Sequence, residues 1–223
     1  MKFTTERIAF LSIALCVSAA AQSVSPDSRK YLNGEALCIQ SIKAANWKTA
    51  ETACRQALDL SLMLPRKFQR EKMAALENYA FSLFSQSKFR SALINFEKAL
   101  KVGSTFLGRS SPDLAKAYFN VGRANQGMAS ITGSYIVPAE RNYLQAETIY
   151  RAAYAVADDD AARSTIRDSI RRTLILLRMI ATMRGDDLKF RAIKERLTQL
   201  DSIKSQEKLV VPELCSPDGS DLF

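Results

Sequence analysis

The chain has 223 residues, 47% hydrophobic and 25% charged, with 8 glycines, 6 prolines and a formal net charge of +9. That length can bury a core of its own, and so little glycine and proline fits a helical globular protein rather than a disordered one. Histidine is absent, which excludes Ser-His and Cys-His nucleophiles, histidine metal sites and imidazole pH switches together.

Lys2 and Arg7 precede an apolar run from Ile8 to Val17, and Ser18-Ala19-Ala20-Ala21 closes it with small residues. This order is that of an export signal, with cleavage expected after Ala21. The run is too short to span a bilayer. Leu15 stands where a bacterial lipid-attachment motif has Gly or Ala, which argues against Cys16 as a lipid anchor. Residues 22–206 are then expected as one helical domain and 207–223 as a tail, in the periplasm or secreted. Loss of Lys2, Glu6 and Arg7 lowers the net charge by one. The remaining excess of Lys and Arg either keeps the chain soluble or favours anionic partners such as acidic proteins, wall polymers or lipid headgroups. No nucleic-acid motif accompanies it.

Eight helices are predicted in chain order. Ser25-Pro26 supplies an N-cap and a first-turn proline, starting a helix that runs to about Ala45. A turn near Asn46 leads into a second helix, to about Met63, and Pro65 marks its exit. The third spans Arg66 to Ser85, with Leu76, Tyr79, Ala80 and Leu83 on one face, and the fourth runs to about Val102. After a connector, Ser111-Pro112 opens a fifth helix that ends near Gly127, with Asp113 in the first turn where it suits the helix dipole. Residues 128–138, with Gly, Ser and Pro, read as a loop. The sixth helix spans Pro138 to Ala157. Asp158-Asp159-Asp160 caps a seventh from Ala161 to Arg184, Gly185 ends it, and the eighth runs from Asp186 to about Ser205. No stretch alternates strongly enough at period two to read as a strand. The fold class is all-α, with four antiparallel helix pairs stacked as a solenoid.

One phrase recurs in the second, fourth and sixth helices. It reads Trp47-x-x-Ala50-x-x-x-Cys54-x-x-Ala57, then Phe89, Ala92, Phe96 and Ala99, then Tyr143, Ala146, Tyr150 and Ala153. Steps of three, four and three put each set on one helical stripe. The preceding helices offer Leu37-Cys38, Tyr79-Ala80 and Val121-Gly122. On these residues, over roughly 31–157, the chain resembles tetratricopeptide repeat (TPR) proteins. The interval from Ala50 to Ala92 is 42 residues, longer than the usual period of about 34, and is similar to the variant found in kinesin light chains. Phe106-Leu107-Gly108, Ser111-Pro112-Asp113-Leu114-Ala115 and Asn120-Val121-Gly122 resemble that variant's linker and first helix. The interval from Ala92 to Ala146 is 54 residues; the 128–138 loop accounts for almost all of the extra length. The fourth pair departs from the pattern, as a terminal cap does.

The resemblance implies a concave groove, lined by the first helix of each pair, that binds peptides or partner helices. It places Asn78 and Asn120 at equivalent positions, where an amide can pair with a bound peptide's backbone. Lys116 and Arg123 lie one turn either side of Asn120 and can meet a carboxylate. The fuller carboxylate-clamp pattern of chaperone-binding members is not met, since Glu35 and Ile39 stand where it needs Lys and Asn. Solvated or structural polar groups are the other reading of all four residues.

Other features stand on the residues alone. Arg163, Arg167, Arg171 and Arg178 share an arc of about 80° on the seventh helix, away from Ile166, Ile170, Leu176, Leu177 and Ile180. They form either a solvated face or a docking strip for an acidic partner or anionic surface. Ile131, Tyr135, Ile136 and Val137 in the loop either contact a partner or pack back onto the solenoid. Cys38 and Cys54 lie eight residues either side of Asn46, level with each other in a hairpin. A disulfide and two buried free thiols both fit, and Cys215 is left unpaired. No phosphate loop, zinc spacing or nucleophile elbow appears, so no metal, cofactor or catalytic residue is assigned. The expected function is an exported scaffold or adaptor, not an enzyme, that holds a segment of another envelope protein. The alternatives are a binder of anionic wall or lipid surfaces and an envelope enzyme with paired carboxylates.

Overall fold

The computed structural model describes residues 25–203. The expected export signal and the tail 207–223 lie outside the described residues. Within them are eight α-helices and no strand. They are α1 (Pro26–Lys43), α2 (Trp47–Met63), α3 (Gln69–Phe84), α4 (Phe89–Gly103), α5 (Pro112–Ala129), α6 (Ile136–Val156), α7 (Asp160–Arg184) and α8 (Asp187–Ser202). Each helix packs on the next, so the chain is an all-α solenoid of four consecutive pairs. No helix among these residues is long and apolar enough to cross a membrane.

Three of the four turns within pairs have the same backbone. At the end of α1, α3 and α7 one residue takes the left-handed conformation, at Ala45 (φ 52°), Ser87 (φ 60°) and Gly185 (φ 66°). The next amide then reaches back five residues: Asn46 N–H to Ser41 O at 3.0 Å, Lys88 N–H to Leu83 O at 3.0 Å, and Asp186 N–H to Ala181 O at 2.9 Å. This Schellman closure satisfies carbonyls that the helix end would leave unpaired. The donor residue is at once the N-cap of the following helix, so the chain reverses without a spacer. Glycine fits the left-handed position freely. Ala45 and Ser87 occupy it at a cost of roughly 1–2 kcal/mol each. The fourth pair therefore shares the repeat's turn although it lacks the alanine pattern.

The turn between α5 and α6 is the exception, and it corrects the predicted loop 128–138. Helix α5 continues to Ala129, a short 3-10 turn forms at Gly133–Tyr135, and α6 starts at Ile136. Pro138 falls in the first turn of α6, where a missing N–H leaves no intrahelical bond unmade. Helix α3 starts at Gln69 rather than Arg66, because Phe68 N–H first closes a turn onto Pro65 O at 3.0 Å.

The recurring phrase is the core. Ala50, Ala92 and Ala146 are 0% exposed, and Cys54, Ala57, Phe96, Ala99, Tyr150 and Ala153 are buried with them. The opening aromatics pack edge-on or tilted against rings of the first helices, Trp47 on Phe81 at 5.9 Å, Phe89 on Phe84 at 5.3 Å and Tyr143 on Phe119 at 5.6 Å. Two glycines of α5 make room for them. A Cβ at Gly122 would lie 2.7 Å from the Tyr143 ring, and one at Gly127 would lie 2.5 Å from the Phe89 ring.

The two ends are closed differently. Cys38 and Cys54 form a disulfide across the first pair, with Cα atoms 4.6 Å apart. The fourth pair shares an apolar cluster with α6, in which Ile170, Leu174, Leu177 and Leu200 pack with Tyr143 and Tyr154, and charge adds to it. Buried Glu140 of α6 receives Arg184 and Lys189, the latter at 2.7 Å, while buried Glu147 receives Arg196 and, at 2.8 Å, Arg151.

Gly122→Ala should destabilise the fold by about 1–3 kcal/mol through overpacking against Tyr143, read as a lower urea midpoint at unchanged slope. The double change Cys38→Ala with Cys54→Ala should cost about 3 kcal/mol for a closed loop of this size, and thiol titration of the unfolded, non-reduced full chain should find two free thiols, those of Cys16 and Cys215.

Candidate functional site

An open cavity of about 470 Å³ lies between the first helices of the second, third and fourth pairs. Helix α3 contributes Glu77, Asn78 and Phe81; α5 contributes Lys116, Phe119, Asn120 and Arg123; α7 contributes Ile166, Ser169 and Arg172. Their spacing follows from the helix period: Lys116, Asn120 and Arg123 recur at steps of four and three, one above the other on a single face. All four residues predicted for the groove, Asn78, Lys116, Asn120 and Arg123, line this one cavity, Asn78 from α3 and the others from α5.

Glu77 is the residue that sequence reasoning missed. It is 8% exposed and accepts from Lys116 Nζ at 2.8 Å and, more weakly, from Asn120 Nδ2 at 3.5 Å. Asn120 is thus partly committed to holding a carboxylate, whereas Asn78 is half-buried with no side-chain partner among the described residues. The signal was present: Glu77 precedes Asn78 as Phe119 precedes Asn120, so a charge occupies a position that is aromatic in the next repeat.

Arg123 is half-buried and lies over the Phe84 ring at 4.5 Å and the Phe81 ring at 5.9 Å, a cation–π seat. Burial lowers its pKa, but an arginine stays charged. Arg172, at the opposite wall, donates to the Asp168 carbonyl and the Ser169 hydroxyl. No carboxylate among the described residues pairs with either guanidinium. The other acid at the rim, Asp113, is taken by Arg70 at 3.0 Å. Tyr150 at the back has its pKa pushed up to about 12 by burial, so it stays a neutral phenol at any physiological pH. The apolar surface comes from Phe81, Phe119 and Ile166.

The predicted basic strip is not a free face, a correction to that expectation. Arg163 donates to the Ala157 carbonyl through Nε at 3.0 Å and Nη2 at 2.8 Å. Arg167 donates to the Ile203 carbonyl at 3.2 Å, and Arg171 bridges Asp168 and Asp201 at 2.9 and 2.6 Å. Only Arg178 of the four has no such bond among the described residues. The strip fastens α7 to the turn before it and to the end of α8; periodicity located the stripe but not the helix that returns along it. The loop residues divide. Ile131 and Val137 are exposed, whereas Tyr135 packs on the cluster around Ala80, Leu83 and Phe96, and Ile136 on the cluster around Tyr143 and Ile170. Ile136 and Val137 belong to α6, not to the loop. Among the described residues no group of His, Cys, Asp or Glu could hold a metal ion.

No protein-family model matches the chain, and no curated protein matches it. Among solved structures it is similar to the crystal structure of BtubC (BKLC) from P. vanneervenii, at 12% sequence identity and a TM-score of 0.37, over 86% of this chain and 99% of that chain. A likeness of that size assigns neither fold nor function; the solenoid stands on the repeated turns and buried stripes described above.

Glu77→Ala removes the acceptor shared by Lys116 and buried Asn120. Leaving the Asn120 amide without its partner should cost about 1–3 kcal/mol, measured by urea unfolding, with Glu77→Gln costing less because it retains an acceptor oxygen.

Proposed function

We propose that this chain is an exported scaffold or adaptor of the cell envelope, built as a TPR-like solenoid, that holds an extended segment of another protein in the cavity between α3, α5 and α7. The observation that carries this reading is the convergence of Asn78, Lys116, Asn120, Arg123 and Arg172 on one open cavity with Phe81, Phe119 and Ile166 as its apolar surface. An unpartnered amide suits a peptide backbone, and two guanidiniums without carboxylates suit acidic side chains. The cavity is already formed by rigid helices, so little ordering entropy opposes binding on this side.

Export is supported by the basic and apolar start of the chain and by the Cys38–Cys54 disulfide, since such bonds persist in oxidising compartments. Binding is favoured over acid–base chemistry by the state of the cavity's carboxylates. Glu77 and Asp113 are each held by a cation from another helix, which gives both carboxylates a structural task.

The test is in-cell crosslinking of the exported chain followed by identification of what it captures. Asn78→Ala with Arg123→Ala should reduce capture about tenfold or more, equivalent to about 1.4 kcal/mol. Arg163→Ala with Arg171→Ala should leave capture unchanged. The opposite pattern would move the binding surface to the basic helix.

A further inference from the structure

Successive helices of the stack run in opposite directions, so the turns between pairs lie along one edge and the turns within pairs along the other. The first two turns between pairs stand side by side. Arg70, at the start of α3, pairs with Asp113, at the start of α5, at 3.0 Å, and lies over the Phe106 ring at 6.0 Å. Leu64 and Phe68 of the first turn and Leu107 of the second pack into one apolar cluster with Tyr31 and Met73.

The residues left outside that cluster are also apolar. Leu62 is 62% exposed, Met63 71% and Phe106 37%. Met63 and Phe106 directly precede Leu64 and Leu107, whose packing holds them outward. Single exposed apolar side chains are ordinary, but three on adjoining turns form a patch. The charge around them has one sign. Residues 60–70 include Arg66, Lys67 and Arg70 and no acid; residues 98–112 include Lys98, Lys101 and Arg109 and no acid. Arg66, Lys67 and Arg109 are exposed and pair with no carboxylate among the described residues. The third turn on this edge is different, since Asp158, Asp159 and Asp160 follow its exposed Val156. The basic, apolar tip is therefore confined to the first two turns.

Exposed apolar side chains beside unpaired cations fit a surface that carries anionic groups above an apolar layer. The apolar groups enter the boundary while the cations stay with the headgroups. An acidic protein would satisfy the cations but would leave Leu62, Met63 and Phe106 unexplained. We infer that the turns 62–67 and 104–109 form a docking edge for an anionic lipid bilayer. Leu62, Met63 and Phe106 enter its headgroup boundary, and Arg66, Lys67 and Arg109 lie on its phosphates. This edge is separate from the cavity, and neither assignment depends on the other.

The experiment uses the full chain, whose one tryptophan is Trp47. Phe106→Trp combined with Trp47→Phe moves the fluorophore to the proposed edge. The probe is a vesicle of phosphatidylglycerol mixed with brominated phosphatidylcholine. Fluorescence from position 106 should shift to the blue and be quenched, and vesicles of brominated phosphatidylcholine alone should have little effect. The native Trp47, at a turn of the opposite edge, should stay unquenched. The readout is local, so the apolar run Ile8–Val17 cannot supply it. Arg66→Glu with Lys67→Glu and Arg109→Glu should raise the lipid concentration for half-quenching at least about tenfold. Leu62→Ser with Met63→Ser should raise it at least about threefold, while leaving affinity for soluble polyglutamate unchanged. All five positions are exposed, so the urea midpoint should not move. Quenching at position 106 no greater than at Trp47, or indifference to the charge reversals, would overturn the inference. Binding of polyglutamate without any response to the vesicles would assign the edge to an acidic protein and overturn it equally.

Discussion

Everything in this molecule depends on how closely two helices can approach at an alanine. Ala50, Ala92 and Ala146 have no exposed surface, and each sits where a larger side chain would push the neighbouring helix outward. Close approach brings the aromatic at the head of each stripe onto a ring of a first helix, and Gly122 and Gly127 extend the same economy to α5. Close packing of this kind leaves no slack: a single added methyl group must displace a ring. The cavity is the counterpart of that tightness. The cavity lies between the first helices α3, α5 and α7, with Tyr150 of the second helix α6 also in its lining.

The fourth pair is attached by different physics. It lacks the alanine stripe; beside the apolar cluster that Ile170, Leu174, Leu177, Ile193 and Leu200 share with Tyr143 and Tyr154 of α6, two glutamates of α6, Glu140 and Glu147, each receive two cations from α6, α7 or α8. A buried carboxylate is tolerated only when it is fully paired, and removal of one partner leaves an expensive orphan. Such contacts contribute less to net stability than apolar packing would, but they fix one register, because the cations must arrive at both glutamates together. A pair that forms one wall of the cavity benefits from a fixed register more than from added stability.

Much of this was legible in the sequence. The helix order, the Ser-Pro starts, the Gly185 stop and the buried stripe follow from period and capping chemistry, which are local. The groove residues were legible as a set because Asn78 and Asn120 hold equivalent places in successive repeats. What escaped were facts about partners distant in sequence. Glu77 reads as one more helix glutamate until Lys116 is brought to it from another repeat. Arg167 and Arg171 read as a solvated stripe until the end of α8 returns beside them, and Arg163 until the Ala157 carbonyl meets it. Residues 128–138 read as loop because Gly133, Ser134 and Pro138 resemble breakers, yet Gly133 and Ser134 form a short 3-10 turn and Pro138 fits the first turn of α6. The repeated turn was hidden because Ala45 and Ser87 carry no mark of a left-handed backbone.

The disulfide has a mechanical consequence. Cys38 and Cys54 are 16 residues apart in sequence and joined directly. Tension entering from the N-terminal side passes through the sulfurs and bypasses the end of α1, the Ala45 turn and the start of α2. That hairpin tip carries no load, however hard the chain is pulled. At the other end α7 and α8 have no covalent shortcut, so the whole of any tension runs through their backbone and is resisted by non-covalent contacts, the apolar cluster they share with α6 and the ion pairs beside it. An anchored chain under strain would therefore keep its first turn shut while every other turn of the stack bore the pull.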